Sequence, residues 1–289
     1  MTTNNIQIRR LSDALGAEVL GADLTRNDGD QFALIHKAWL DCDGLVVIRD
    51  QTLSPEDHIK FSRNFGPLLG KRNSVPDSVL LDGHPEILVL SNRRVNGAPV
   101  GLENAGHYWH SDVTFQECPA MGSLLYAVEI PPEGGDTLFS NMYRAYDTLA
   151  PSLKARVERL QAAHSYASSP DGYEQGGKRA EITEEQKQGQ RREVIHPVVR
   201  THPETRRKAL YVNPGFTKNI VGMDEAESKR LLDLLYAHAI KDEFIYRHKW
   251  RQRDLLIWDN RCLIHLATSY DPKYTRHMLR TTVAGERPF

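Results

Sequence analysis

The sequence is poor in cysteine. Cys42, Cys118 and Cys262 are the only three in 289 residues, far apart and without a C-x-x-C pair. A scattered, odd set argues against a disulfide frame or a cysteine-rich zinc site, and suits a reducing cytoplasm. The chain also lacks a charge excess. Its net charge is −1 and its isoelectric point about 6.9, so bulk electrostatics directs it to neither nucleic acid nor an anionic membrane. No apolar run approaches the roughly 18–20 residues that a membrane span needs. The opening MTTNNIQIRRLSD carries none at all, so neither a signal peptide nor an anchor is expected. Internal repeats, a G-x-G-x-x-G loop and a strand–helix–strand rhythm are missing too, which argues against a doubly wound nucleotide-binding fold. These absences point to a soluble, cytoplasmic, single-core protein, often an oligomer.

What is present is enough apolar sequence for a sizeable core: 40% hydrophobic against 26% charged. The β-branched run GLVVIRD (44–50), PEILVL (85–90), MGSLLYAVEI (121–130) and TLFSN (137–141) read as strands. In LSPEDHIKFSRNFG, Ser54 is an N-cap, Pro55 fits the first helical position, Asp57 suits a capping box, and Gly66 ends the helix. MYRAYDTLAPSLKARVERL and MDEAESKRLLDLLYAHAI read as amphipathic helices, and 91–106 as a polar loop. Residues 169–194 are almost devoid of core-forming side chains and read as a lid or excursion. The C-terminal part reads as strand, turn, strand through WDNRCLIHLATSY and RHMLRTTVAGE. Strands outnumber helices, and the helices cluster between sets of strands. The expected class is mainly β with flanking helices, a double-sheet barrel or jelly roll.

The chemistry concentrates in GHYWHSDVTF (106–115). In a chain with twelve histidines, an H-x-D triplet arises by chance about once, so His110-Ser111-Asp112 means little alone. Its setting adds weight. YWHSDVTF is aromatic and β-branched, hence expected to be extended, with His110, Asp112 and Thr114 on one face and Trp109, Ser111, Val113 and Phe115 on the other. His107 falls out of phase and reads as a loop or second-sphere histidine. One imidazole and one carboxylate on a strand are two ligands of a 2-His-1-carboxylate site, which leaves positions open on six-coordinate Fe(II). His265, in WDNRCLIHLATSY, is the best third ligand. His36, His58, His238 and His248 lie in helix-like or charged segments and read as structural, and His84-Pro85-Glu86 and His202-Pro203-Glu204 read as loop entries. On an extended strand Arg276 and Arg280 would share a face with Thr282. Inward arginines are costly unless they meet anions, and the guanidinium suits carboxylates, though edge-strand salt bridges remain the alternative. Thr137, just after the double-glycine turn of PPEGGDT, could share such an anion.

Taken together, these residues resemble the taurine dioxygenase and 2,4-dichlorophenoxyacetate dioxygenase family of Fe(II)/2-oxoglutarate oxygenases. The likeness runs through LGAEVLGADL, WHSDVTF, PPEGGDT, HPVVRTHPETRRKALYVNPGFT, Trp250, IWDNR with its following histidine, and the closing pattern from Arg276 through Arg280 to Pro288-Phe289. It implies one domain over 1–289 with a double-stranded β-helix, that is, a cupin-like jelly roll. It implies His110, Asp112 and His265 as iron ligands, and Thr137 with Arg276 on the far carboxylate of 2-oxoglutarate. Arg280 and Lys71 would meet an anionic substrate, beside the pocket aromatics Tyr166 and Phe216. The implied cofactors are Fe(II), 2-oxoglutarate and O2. The implied partners are a small anionic substrate and further copies of the chain, as a dimer or tetramer. Gly106 stands where the taurine enzyme has asparagine, Ser74 where it has tyrosine and Lys71 where it has histidine, so the resemblance points to an anionic substrate other than taurine. Lys71-Arg72 also reads as a solvated basic turn. Two other classes fit the sequence less well. A zinc hydrolase would need a general-base glutamate such as H-E-x-x-H supplies, which this sequence lacks. A non-catalytic jelly-roll binding protein has no need of the triad. Desaturation or other oxidative tailoring would use the same ligands.

Overall fold

The computed structural model describes residues 6–26, 28–70, 79–103, 105–167, 169–170 and 192–289. Its frame is an eight-stranded sheet in the spatial order Gln7–Arg10, Ala17–Leu20, Leu45–Ile48, Leu255–Asp259, Ala120–Glu129, His277–Ala284, His84–Ser91, Leu80–Leu81. The sheet is mixed: Ala17–Leu20 runs parallel to Leu45–Ile48, and all other neighbours are antiparallel. Thr137–Asn141 lies between Ile245–His248 and Leu263–Ala267 in a separate three-stranded sheet, and Gln161–His164 between Val194–Pro197 and Thr217–Ile220 in another. Among the described residues no helix is long and apolar enough to cross a membrane.

Strand alternation explains how the large sheet is sandwiched. Successive side chains point to opposite faces. Leu45, Val47, Leu125, Ala127, Leu256 and Trp258 pack with Phe139, Leu263 and Ala162 of the smaller sheets and Leu231 and Leu235 of the helix Glu225–Ala239. The residues between them, Val46, Ile48, Leu124, Tyr126, Leu255 and Ile257, pack against Ile35, Ala38 and Trp39 of the helix Gly29–Asp41. Both faces are therefore buried, which is why these strands read as continuous apolar runs.

Local signals held where they were strong. Ser54 and Asp57 form a reciprocal capping box on the helix Pro55–Ser62. That helix ends at Ser62 and passes through a turn to Gly66. The helical stretch after Asn141 is two helices, Met142–Asp147 and Pro151–Val157, because proline at 151 can only begin a helix. The loop 91–106 contains the short hairpin strands Arg94–Val95 and Ala98–Pro99. His84 opens a strand. The polar stretch 169–194 lies, apart from its ends, outside the described residues, as does Lys71.

Candidate metal centre and cosubstrate cavity

His110 and His265 face each other across a two-bond antiparallel bridge. His110 N–H donates to His265 O at 3.0 Å, and His265 N–H donates to His110 O at 2.7 Å. Their rings are consequently 4.1 Å apart. His110 Nδ1–H donates to the Tyr108 carbonyl at 2.8 Å, which leaves Nε2 as the lone-pair nitrogen. That nitrogen is 3.8 Å from Asp112 Oδ1. Ligand atoms of His110, Asp112 and His265 all lie within 4.8 Å of one another, and all three residues are buried.

The route from His110 to Asp112 differs from the sequence expectation. YWHSDVTF is no strand: His110 makes its single bridge, residues 112–115 form a turn, and Val113 has φ +62°. A β-branched residue in the left-handed region costs about 1–2 kcal/mol. Long-range bonds hold the turn. Ser111 Oγ–H donates to the Asn260 carbonyl at 2.7 Å, and Asp112 N–H donates to Asn260 Oδ1 at 3.2 Å. His196 Nε2–H donates to the Thr114 and Gln116 carbonyls at 2.9 and 3.0 Å, and Asn213 Nδ2–H donates to Thr114 Oγ1 at 3.3 Å. The turn, not strand parity, brings Asp112 beside His110.

Burial alone would raise the Asp112 carboxyl. The Arg280 guanidinium, the two histidines and the Ser123 hydroxyl outweigh it and hold the group well below the usual carboxylate range. Arg280 donates to Asp112 Oδ1 at 3.1 Å. Burial, and then the neighbouring His110, push His265 well below its ordinary value, so it is neutral. Two close imidazoles and one ionised carboxylate in a desolvated cluster form a donor set that fits a divalent cation of the iron type.

Two glycines make room for His110. A Cβ on Gly106, which has φ +76°, would lie 2.9 Å from His110 Cε1. A Cβ on Gly215 would lie 2.8 Å from His110 Cβ. Phe216 stands edge-on to the His110 ring at 5.9 Å, packs on Phe115 at 5.0 Å and stacks on Tyr166 at 6.0 Å. Of the two expected aromatics Phe216 thus meets the His110 ring, as does Tyr108, while Tyr166 and Phe115 pack against Phe216; the sequence did not single out Tyr108 or Phe115.

Arg276 and Arg280 serve two places. Arg276 precedes the strand His277–Ala284, which pairs with His84–Ser91 in unbroken register, and the bulge opposite His277 and Met278 lies in the neighbouring strand Ala120–Glu129. Arg276 lines a small cavity with Leu90, Leu102, His107, Ala267, Thr268 and Tyr270. Ala267 lies two residues beyond His265 on the strand Leu263–Ala267, hence on the same face. Among the described residues, the Arg276 guanidinium makes no ion pair. Burial pulls it down to about 10, with only Tyr270 acting the other way. The Thr268 hydroxyl is buried there without a partner. Thr137 is buried and accepts a hydrogen bond from Trp250 Nε1–H at 3.0 Å, and the nearby Gly135 packs against the Arg276 side chain. His107 hydrogen-bonds the Ala267 carbonyl and stays out of the ligand cluster.

His202, Asp259 and Cys262 form a second close group. His202 Nδ1 accepts from the Glu204 and Thr205 amides, so its Nε2–H donates to Asp259 at 2.9 Å. Arg261 also donates to Asp259 through Nε and an Nη, both within 2.9 Å. With its carboxylate already paired to a guanidinium, this group braces the turn between Leu255–Asp259 and Leu263–Ala267. His202 leads into the turn at 203–205, as expected of a loop entry, and is fully buried there. Asn260, Ser123 and Thr268 were also missed. For Asn260 the only sequence signal was its place in the Asp259-Asn260 turn.

A family model described as Taurine catabolism dioxygenase TauD, TfdA family matches residues 7–282. The alpha-ketoglutarate-dependent 2,4-dichlorophenoxyacetate dioxygenase of Cupriavidus pinatubonensis is 36% identical over 259 residues, 86% of each chain. A taurine dioxygenase structure from Burkholderia xenovorans has a TM-score of 0.80 at 37% identity, covering 98% of this chain and 90% of that one. The structure of AAD-2 in complex with Mn(II) and N-oxalylglycine has a TM-score of 0.78 at 33% identity, covering 100% and 99%.

Proposed function

The chain belongs to the taurine catabolism dioxygenase TauD, TfdA family, and from that membership and its own site we propose that it hydroxylates a C–H bond of a small anionic substrate. It is a 2-oxoglutarate-dependent dioxygenase, and its cofactors are those of the family: Fe(II), with 2-oxoglutarate and O2 as cosubstrates. In this reading the whole chain is one catalytic domain with a double-stranded β-helix at its centre. His110, Asp112 and His265 are the metal ligands. The substrate is a sulfonate, a sulfate ester or a carboxylate.

The observation that carries the reading is the Arg276 guanidinium, without an ion pair among the described residues, in a cavity lined by Ala267, two residues past His265 of the ligand cluster. A desolvated cation without a partner calls for an anion, and a guanidinium with adjacent hydroxyls matches a carboxylate. When bound, iron with 2-oxoglutarate and O2 supplies the oxidation, in which 2-oxoglutarate becomes succinate and CO2 and one oxygen atom enters the substrate. The chain's residues do the rest. His110, Asp112 and His265 would hold the metal, a ligand set small enough to leave room for a cosubstrate. Arg276, with the hydroxyls of Thr137 and Thr268, fixes the far carboxylate of 2-oxoglutarate and so its direction. Arg280 offers its buried Nε–H, which has no partner among the described residues, towards an anionic substrate while its Nη holds Asp112. Phe216, Tyr166 and Phe115 wall the pocket against water and restrict the poses of the target carbon.

Succinate release across sulfonates, sulfate esters, phenoxy acids and amino-acid derivatives tests the reading. Release should require Fe(II), 2-oxoglutarate and O2 together, and one substrate should couple succinate to a hydroxylated product. Coupling to a desaturated or ring-closed product would replace hydroxylation by oxidative tailoring. An Fe(II)-loaded protein that never forms succinate would overturn the proposal.

A further inference from the structure

Asp112 has two oxygens, and the structure treats them differently. Oδ1 faces His110 Nε2 at 3.8 Å and accepts from Arg280. Oδ2 points the other way and accepts from Ser123 Oγ–H at 2.7 Å. Ser123 is fully buried in the strand Ala120–Glu129, at the register position between Trp258 and Thr282. Its hydroxyl is oriented in turn: Asn260 Nδ2–H donates to Ser123 Oγ at 3.2 Å, so the Ser123 proton is left to point at Asp112. Asn260 Oδ1 accepts from Asp112 N–H and from Trp258 Nε1–H at 3.0 Å, which fixes the amide's orientation. The result is one chain of directed bonds, Trp258 to Asn260 to Ser123 to Asp112.

We propose that Ser123 is a positioning residue that assigns the two Asp112 oxygens, holding Oδ2 back so that only Oδ1 is presented with His110 and His265. The inference rests on the ligand assignment above and adds to it. A carboxylate that engages through one oxygen takes one position of a metal. If both oxygens engage, it takes two, and a position needed by 2-oxoglutarate or O2 is lost. The Ser123 hydrogen bond is charge-assisted and buried, which makes it among the stronger contacts available to fix a side-chain torsion. Partners of metal ligands of this kind typically alter metal affinity about ten- to hundredfold when removed.

Titration of the apoprotein with Mn(II), followed by loss of the free-ion electron paramagnetic resonance signal, reads this without turnover. Ser123→Ala should bind Mn(II) about tenfold more weakly while keeping the wild-type circular dichroism. Ser123→Thr keeps the hydroxyl and should recover most of the affinity. Ser123→Cys fills the site with a slightly larger atom but supplies only a weak donor, so it should resemble alanine and serves as the second variant if alanine does not fold. Unchanged Mn(II) affinity in folded Ser123→Ala or Ser123→Cys would overturn the proposal, as would threonine falling as far as alanine. His265→Ala separates the two levels: if it binds Mn(II) as wild type does, the ligand assignment fails, whatever Ser123 does.

Discussion

A methyl group on residue 106 would sit 2.9 Å from Cε1 of the His110 imidazole, on a backbone with φ +76°. Both facts require glycine. The left-handed conformation costs a residue with a Cβ about 1–2 kcal/mol, and the close approach would turn the ring that carries the lone-pair nitrogen. Gly106→Ala should therefore lower Mn(II) affinity about tenfold or more and lower the thermal midpoint by a few degrees, read in one pair of titration and melting experiments. An unchanged affinity would mean that the ring has room to shift. A side chain on residue 106 would compete with His110 for space before it could reach a substrate.

The site depends on elements that meet far from their own neighbours in sequence, and this decided what could be read in advance. Helix starts were legible because capping is local: Ser54, Pro55 and Asp57 lie within four residues of one another. Strands Leu45–Ile48 and Leu255–Asp259 were legible because both faces of the sheet are covered, which writes an apolar run into the chain. The turn at 112–115 was not. Its local sequence favours extended backbone, and the bonds that bend it come from Asn260, His196 and Asn213, 82 to 148 residues away. His110, Asp112, His265 and Arg276 could be singled out because their chemistry is uncommon in a core. Ser123, Asn260 and Thr268 belong to residue types found everywhere, and they acquire a role only from register across strands. Asn260→Ala tests how far the turn relies on its one amide. It would orphan Asp112 N–H and Trp258 Nε1–H, each worth about 1–3 kcal/mol when buried and unmade. Urea denaturation should show a loss of about 2–4 kcal/mol, with weaker Mn(II) binding in the protein that remains folded. A loss under about 0.5 kcal/mol, the scale of a surface substitution, would contradict this view of the turn.

At the scale of the whole molecule, burial keeps several histidines neutral. Desolvation lowers His58 and His196 to about 4. In the unfolded chain each titrates near 6.5, so between about 4 and 6.5 the unfolded state binds more protons and stability rises with pH. Each group adds at most about 1.4 kcal/mol per pH unit within that window and nothing above it. The depressed carboxyl of Asp112 acts in the same direction at more acid pH. Urea midpoints should accordingly climb through the window and level off above it, and a flat profile would show these histidines to be charged in the folded protein. The proposed metal ligands come from two distant segments, and the proposed anion anchor Arg276 from a third. Anaerobic addition of Fe(II) and 2-oxoglutarate to the purified apoprotein, followed in the visible, asks whether they act together. The account predicts a charge-transfer band that saturates with 2-oxoglutarate, needs about tenfold or more 2-oxoglutarate in Arg276→Ala, and is missing in His265→Ala. No band in the wild-type protein, or an undiminished one in His265→Ala, would contradict it.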